Sequence, residues 1–118
     1  MNGSENYWNE TLLSFVPFDV DLTTFAKDNE YFLNVIGNVE NKKLLDIGCG
    51  NGEMSMYFAR RGAVVTSIDF SETAVKNTLA NADLHGVKVD AFVLDASDIN
   101  VLKTKFDIII GKFILHHI

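Results

Sequence analysis

The sequence predicts an α/β fold, a doubly wound parallel sheet preceded by N-terminal helices. Three observations predict it. From Lys43 onward, short apolar stretches alternate with longer stretches of helical periodicity, the pattern of parallel strands with helices on their faces. The first apolar stretch, Leu44 to Ile47, turns through alternating glycines, Gly48, Gly50 and Gly52, into a helix-forming stretch at Glu53. Three of the apolar stretches also end in a carboxylate, Asp46, Asp69 and Asp95, and an open sheet gathers the ends of its strands at one edge, where ligands bind.

The elements follow in order. A short helix is expected over 7–15, broken by Pro17, the only proline. Asp21 is placed to cap a second helix that carries Leu22, Phe25 and Ala26 on one face. Asp28 is placed to cap a third, whose stripe of Tyr31, Phe32, Val35 and Ile36 stops at Gly37. Residues 1–40 thus form an aromatic-rich helical segment that packs on the sheet or closes over a ligand as a lid. Residues 41–118 carry the regular alternation. Strand one is expected at 43–47. The helix at 53–61 turns Met54, Tyr57 and Phe58 inward, and Gly62 closes it. Strand two, 63–68, is apolar along its length, as in a strand buried on both faces. Ser71 caps the next helix, with Val75, Leu79 and Ala82 inward and Gly86 at its end. Strand three covers 87–94, a short helix or turn 96–102, and strand four 106–111. Asp107 lies at the start of strand four, away from the other acids.

Composition bounds what this fold can do. The 118 residues make one small domain, and 47% apolar against 22% charged residues make it globular. Sixteen acidic against 10 basic side chains leave a formal charge of -6, which argues against a nucleic-acid backbone as the main partner. The polar, acidic start from Met1 to Glu10 is unlike a signal peptide. Apolar runs such as 12–18 are too short to span a bilayer, so no membrane partner is expected. Cys49 is the only cysteine, which excludes an intrachain disulfide and makes a reducing cytoplasm the simplest setting.

The glycine turn carries the chemistry. Without Cβ atoms, bare backbone comes next to a ligand. Asp46, in an otherwise apolar strand, needs a partner to offset its burial. A carboxylate there repels a phosphate and suits a cation or hydroxyl donors. No Gly-Lys-Ser/Thr follows, which excludes a Walker loop. The dinucleotide fingerprint wants glycine where Glu53 stands. Cys49 reads as a small side chain that fits the turn rather than a nucleophile. Asp69 can accept two hydrogen bonds from a ribose diol, Phe70 can pack on a flat base, and Asp95 with the Ala96 backbone can reach the edge of an adenine.

The run Asp46-Ile47-Gly48-Cys49-Gly50-Asn51-Gly52 resembles motif I of the class I S-adenosylmethionine-dependent methyltransferases. Val65-Thr66-Ser67-Ile68-Asp69-Phe70-Ser71 resembles the second motif and Val93-Leu94-Asp95-Ala96-Ser97-Asp98-Ile99 the third. Phe106 to Gly111 with Leu115-His116-His117 resembles the fourth, in its small-molecule form. The resemblance covers about Tyr31 to Ile118. It implies a Rossmann-like sheet and S-adenosylmethionine as cofactor. It implies a cofactor site of Asp46, Gly48, Cys49, Gly50, Gly52, Asp69, Phe70, Asp95, Ala96 and Lys112.

In that chemistry the sulfonium makes its methyl carbon electrophilic, and the protein aligns the partners and excludes water. His116 and His117 are the candidate bases for a hydroxyl acceptor. As adjacent residues they are poor joint ligands for one ion, so no metal is expected. Gly111-Lys112-Phe113-Ile114 differs from the Asn-Pro-Pro-Tyr of the amine-methylating branch, which argues against base or amide methylation. The small-molecule form of the fourth motif implies a small-molecule acceptor, of unassigned identity. The family's sheet has seven strands. This chain supplies four, in the order 3-2-1-4, and so reads as the cofactor-binding part, a fragment or a half completed by another chain. Strand four then becomes an uncharged edge at Ile108-Ile109-Ile110 that invites self-association or a partner chain. Two other readings stay open: a nicotinamide-dependent oxidoreductase domain, and a non-catalytic interaction protein of the same fold.

Overall fold

The computed structural model describes residues 20–111 and 115–116. The helix expected over 7–15, Lys112 and His117 lie outside the described residues.

Two short helices come first, α1 (Leu22–Asp28) and α2 (Glu30–Ile36). Asp21 caps α1 as expected. Its carboxylate accepts the Thr23 and Thr24 amides, each at 3.0 Å, and the Thr24 hydroxyl at 2.8 Å, which satisfies donors that a helix start leaves open. The Thr24 amide, chief among these bonds, holds the Asp21 carboxyl below the ordinary range. α2 departs from the expectation. Asn29, not Asp28, is its cap, and its side chain instead donates to the Phe25 carbonyl at 2.9 Å. Leu33 is the buried residue, while Tyr31 and Val35 face solvent. The helix packs on α1, which turns its inner face toward Phe32, Leu33 and Ile36.

The regular part runs β1 (Lys43–Ile47), α3 (Glu53–Ala59), β2 (Val64–Asp69), α4 (Glu72–His85), β3 (Val89–Val93), a 3-10 segment (Ala96–Leu102), β4 (Ile108–Gly111) and β5 (Leu115–His116). The sheet order is β3-β2-β1-β4-β5. The pairs β3-β2, β2-β1 and β1-β4 are parallel, which gives the expected 3-2-1-4 arrangement. β5 adds an antiparallel pairing, Ile109 with His116 and Ile110 with Leu115. The outer side of β4 is therefore paired over those two residues, where the sequence alone left a bare edge.

Alternation along the strands sends neighbouring residues to opposite faces. On one face Leu44, Val65, Val89 and Ile110 pack with Met56 and Phe58 of α3 and with Phe25 and Leu33 of the N-terminal helices. Each large side chain buried this way contributes about 1.5–3 kcal/mol relative to exposure. On the other face Leu45, Ile68 and Ile109 meet Leu94, Ile99, Leu102 and Phe106. That cover does not extend over the β3 side, so Val64 and Phe92 stay exposed and β2 is not buried throughout.

α4 begins at Ser71, whose hydroxyl accepts the Ala74 amide at 3.2 Å, and ends at left-handed Gly86. Its buried residues are Val75, Thr78, Asn81 and Ala82. Leu79, expected inside, is exposed. The helix faces a polar loop as well as the apolar core, and apolar periodicity alone could not show that. Asp107 takes the opposite end of the sheet, as expected: its carboxylate accepts the Lys43 amide and its own amide donates to the Lys43 carbonyl, both at 2.8 Å.

Candidate functional site

β1 ends in the glycine loop, and the loop folds against the end of β2. The Gly48 and Cys49 amides donate to the Ile68 carbonyl at 2.8 and 3.1 Å, and the Gly52 amide donates to the Cys49 carbonyl at 2.8 Å. The Gly50 amide donates to Asp69 Oδ2 at 3.1 Å. These amides are engaged inside the protein, whereas an anion cradle aims such groups at the ligand. The loop offers its Cα atoms instead. A Cβ built on Gly48 or Gly50 meets no atom within 4 Å, so open space lies against the main chain. Gly52 has the opposite setting. Its φ is +91°, and a Cβ there would stand 3.0 to 3.2 Å from Thr78 Oγ1, Cα and Cγ2.

Asp46 is 2% exposed. Ser55 Oγ donates to Asp46 Oδ2 at 2.7 Å and lies 2.6 Å from Ser67 Oγ. A hydroxyl carries one proton, so with Ser55 donating to Asp46, Ser67 donates to Ser55. Burial pushes the Asp46 carboxyl up to about 6, nearby Asp69 adds to the rise, and the Ser55 bond opposes it. Asp46 lines a cavity of about 370 Å³ together with Gly48, Cys49, Gly50, Asn51, Glu53 and Met54, and with Phe25 and Asn29 from the N-terminal helices. That volume lies within the range of small-ligand sites, about 300–1,000 Å³.

Asp69 sits at the end of β2. Its Oδ1 accepts the Ser71 amide at 2.9 Å and its Oδ2 the Gly50 amide. Each oxygen keeps a further lone pair for a ligand. The Leu94 amide donates to the Asp69 carbonyl at 2.9 Å, so Asp95 follows Asp69 along the same sheet edge. Asp95 is exposed and caps the 3-10 segment; its Oδ1 accepts the Ser97 amide at 3.0 Å and the Ser97 hydroxyl at 3.1 Å. The Ser97 amide chiefly keeps the Asp95 carboxyl below the ordinary range. Phe70 is 84% exposed.

The structure thus brings Asp46, Gly48, Cys49 and Gly50 together on one cavity and ties Asp69 to it through the Gly50 amide. Gly52 supports the loop from the α4 side. Phe70, Asp95 and Ala96 lie on the open edge beyond the cavity lining. His116 is placed by its backbone in β5, opposite Ile109. The Cys49 thiol accepts a hydrogen bond from Thr78 Oγ1 at 3.2 Å, and burial pushes its pKa up to about 12, which keeps it a neutral space-filler at physiological pH. Among the described residues no group of three His, Cys, Asp or Glu side chains could hold a metal ion. Among them, too, no helix is long and apolar enough to cross a membrane.

Sequence reasoning missed the supporting residues: Ser55 and Ser67 beneath Asp46, and Asn77, Thr78 and Asn81 beneath the loop. The available signal was polar residues at inward strand and helix positions. It also missed Phe25, Asn29, Asn51, Glu53 and Met54 as cavity walls.

Residues 44–118 match the family described as Methyltransferase domain. The ubiquinone biosynthesis O-methyltransferase of Pseudomonas syringae pv. tomato is 38% identical over 86 residues, 69% of this chain and 35% of that protein. The enzyme of that name from Rhizobium leguminosarum bv. trifolii is 35% identical over 80 residues, 68% of this chain and 32% of its own length. The chain spans about a third of the curated relatives it matches. Among solved structures, the magnesium protoporphyrin IX methyltransferase of Synechocystis PCC 6803, solved with bound S-adenosylmethionine, superposes with a TM-score of 0.61 at 26% identity, over 75% of this chain and 42% of that one.

Proposed function

The chain belongs to the class I S-adenosylmethionine-dependent methyltransferase family, of which it carries the N-terminal part, and we propose that it holds S-adenosylmethionine at the glycine loop and supports methyl transfer to a hydroxyl-bearing small molecule. The carrying observation is the cavity itself, where the open Cα atoms of Gly48 and Gly50 stand beside buried Asp46. When bound, the cofactor supplies a methyl carbon made electrophilic by its sulfonium.

The chain's residues fit that ligand. Asp46 suits the positively charged amino-acid tail, and a cation beside it favours the ionised carboxylate. Asp69, with both oxygens already oriented by backbone amides, accepts the ribose hydroxyls. Phe70, Asp95 and the Ala96 backbone receive the base at the open edge, and Lys112 belongs to the same site by its place in the motif. Phe25 and Asn29 make the N-terminal segment a wall of the cavity, in keeping with a lid role for residues 1–40. Aligning the partners and excluding water is the main catalytic work assigned to the protein. His116 or His117 takes the acceptor's proton. The formal charge of -6 and the names of the O-methyltransferase relatives support a small acceptor rather than a nucleic acid. The single, buried thiol is in keeping with a reducing cytoplasm.

A nicotinamide dinucleotide suits the loop less well, because its pyrophosphate would find the Gly48, Cys49, Gly50 and Gly52 amides already engaged. Calorimetry with S-adenosylmethionine, and NADH as control, tests the reading. Saturable one-site binding of the former alone is expected; binding of NADH alone would overturn it.

A further inference from the structure

α4 reaches into the glycine loop with three side chains from one face. Thr78 Oγ1 lies within donating distance of the Gly50 carbonyl at 3.3 Å as well as of Cys49 Sγ. Asn77 Nδ2 donates to Asn51 Oδ1 at 3.3 Å. Asn81, with no exposed surface, donates from Nδ2 to the Asn51 carbonyl at 3.2 Å and to the Asn77 carbonyl at 3.0 Å. Its Oδ1 accepts the Val20 amide at 3.2 Å. Val20 precedes the Asp21 cap of α1, and α1 supplies Phe25 to the cavity wall.

The partners fix the orientation of the Asn81 amide. The Val20 amide can only donate and the Asn51 carbonyl can only accept, so oxygen faces one and nitrogen the other. Aspartate would keep the acceptor and lose both donors. Leucine would satisfy neither neighbour. One buried amide therefore joins the cofactor loop, the helix behind it and the N-terminal wall.

We propose that Asn77, Thr78 and Asn81 are positioning residues that clamp the glycine loop in its ligand-accepting form, with Asn81 also registering the N-terminal wall against it. The proposal rests on the cofactor reading for its functional meaning, but the clamp itself is testable without ligand. In the full chain, hydrogen exchange of the loop amides is measured relative to the β2 amides for wild type, Asn81→Asp, Asn77→Ala and Val89→Ala. Val89 lies in the core on β3 and serves as a purely structural control. S-adenosylhomocysteine affinity is measured on the same four proteins.

Losing the side-chain donors that hold the loop should raise relative loop exchange by about tenfold and weaken S-adenosylhomocysteine by a similar factor in the two asparagine variants. Val89→Ala should lose stability with loop exchange and affinity unchanged relative to the folded protein. Unchanged loop exchange in both asparagine variants, or an equal rise in Val89→Ala, would overturn the clamp. If Asn81→Asp does not fold, the half-buried Asn77 carries the test by the same two readouts. Faster loop exchange in the asparagine variants, together with a wild type that takes no S-adenosylhomocysteine, would support the clamp and sink the cofactor reading.

Discussion

Asp46 is the residue on which the energetics of the site turn. Its carboxyl rises from 3.8 to about 6 in the folded chain, chiefly through burial. The folded state therefore binds this proton more tightly than the unfolded one. The resulting stability is fully present below about pH 4 and is lost as pH rises through about 6. The shift corresponds to about 3 kcal/mol. In urea unfolding at pH 8, Asp46→Asn should be more stable than the wild type by about 1–3 kcal/mol, with the gap closing at pH 4. A less stable Asn variant at pH 8 would contradict the burial cost. A cationic ligand beside Asp46 favours the ionised form, so binding should release a proton below pH 6. Cofactor affinity should then climb between pH 5 and 7 and level off above, as read by calorimetry in buffers of different ionisation heat. Ser55→Ala removes the one bond that lowers the Asp46 carboxyl and should move that climb to higher pH. Asp46 was legible in the sequence because a carboxylate stands out in Leu44-Leu45-Asp46-Ile47. Ser55 and Ser67 were not, since serine is small enough to occupy a core position without a signature.

At the scale of elements, the loop and α4 divide the glycines into two kinds. Gly52 is pressed against the Thr78 backbone, so Gly52→Ala combines a strained φ with a clash that trimming a side chain cannot relieve. A loss of about 2–4 kcal/mol in thermal or denaturant unfolding is expected. Gly50 faces open space. Gly50→Ala should cost about 1–2 kcal/mol for its backbone conformation, yet lose most cofactor affinity because the new methyl occupies the ligand's place. Equal affinity in the two variants would refute this division. The alternating glycines and the strand-turn-helix were plain in the sequence. The inner face of α4 was not. Apolar periodicity pointed to Leu79, but the helix meets a polar loop through Thr78 and Asn81, and a pattern of hydrophobicity cannot register a polar neighbour distant in the chain.

For the molecule as a whole, the alternation of strands and helices made the α/β class legible, and the four motifs made the 3-2-1-4 order legible. The β5 pairing was not, because two residues carry too little pattern to announce a strand. Among the described residues β5 pairs with Ile109 and Ile110 of β4, and self-association through that end of the sheet is expected to appear in light scattering as mass rising with concentration. A constant monomer mass would count against it. The buried Cys49 thiol has a further use. It is the only cysteine, and it lies at the centre of the loop beneath Thr78. The residue is 7% exposed and its thiol is held by Thr78, so alkylation should be slow in the closed loop and quicken when the loop parts from α4 or the whole chain unfolds. The denaturant dependence of the labelling rate separates the two. The chain thus carries its own chemical clock for loop opening, and a ligand seated on the loop should slow it.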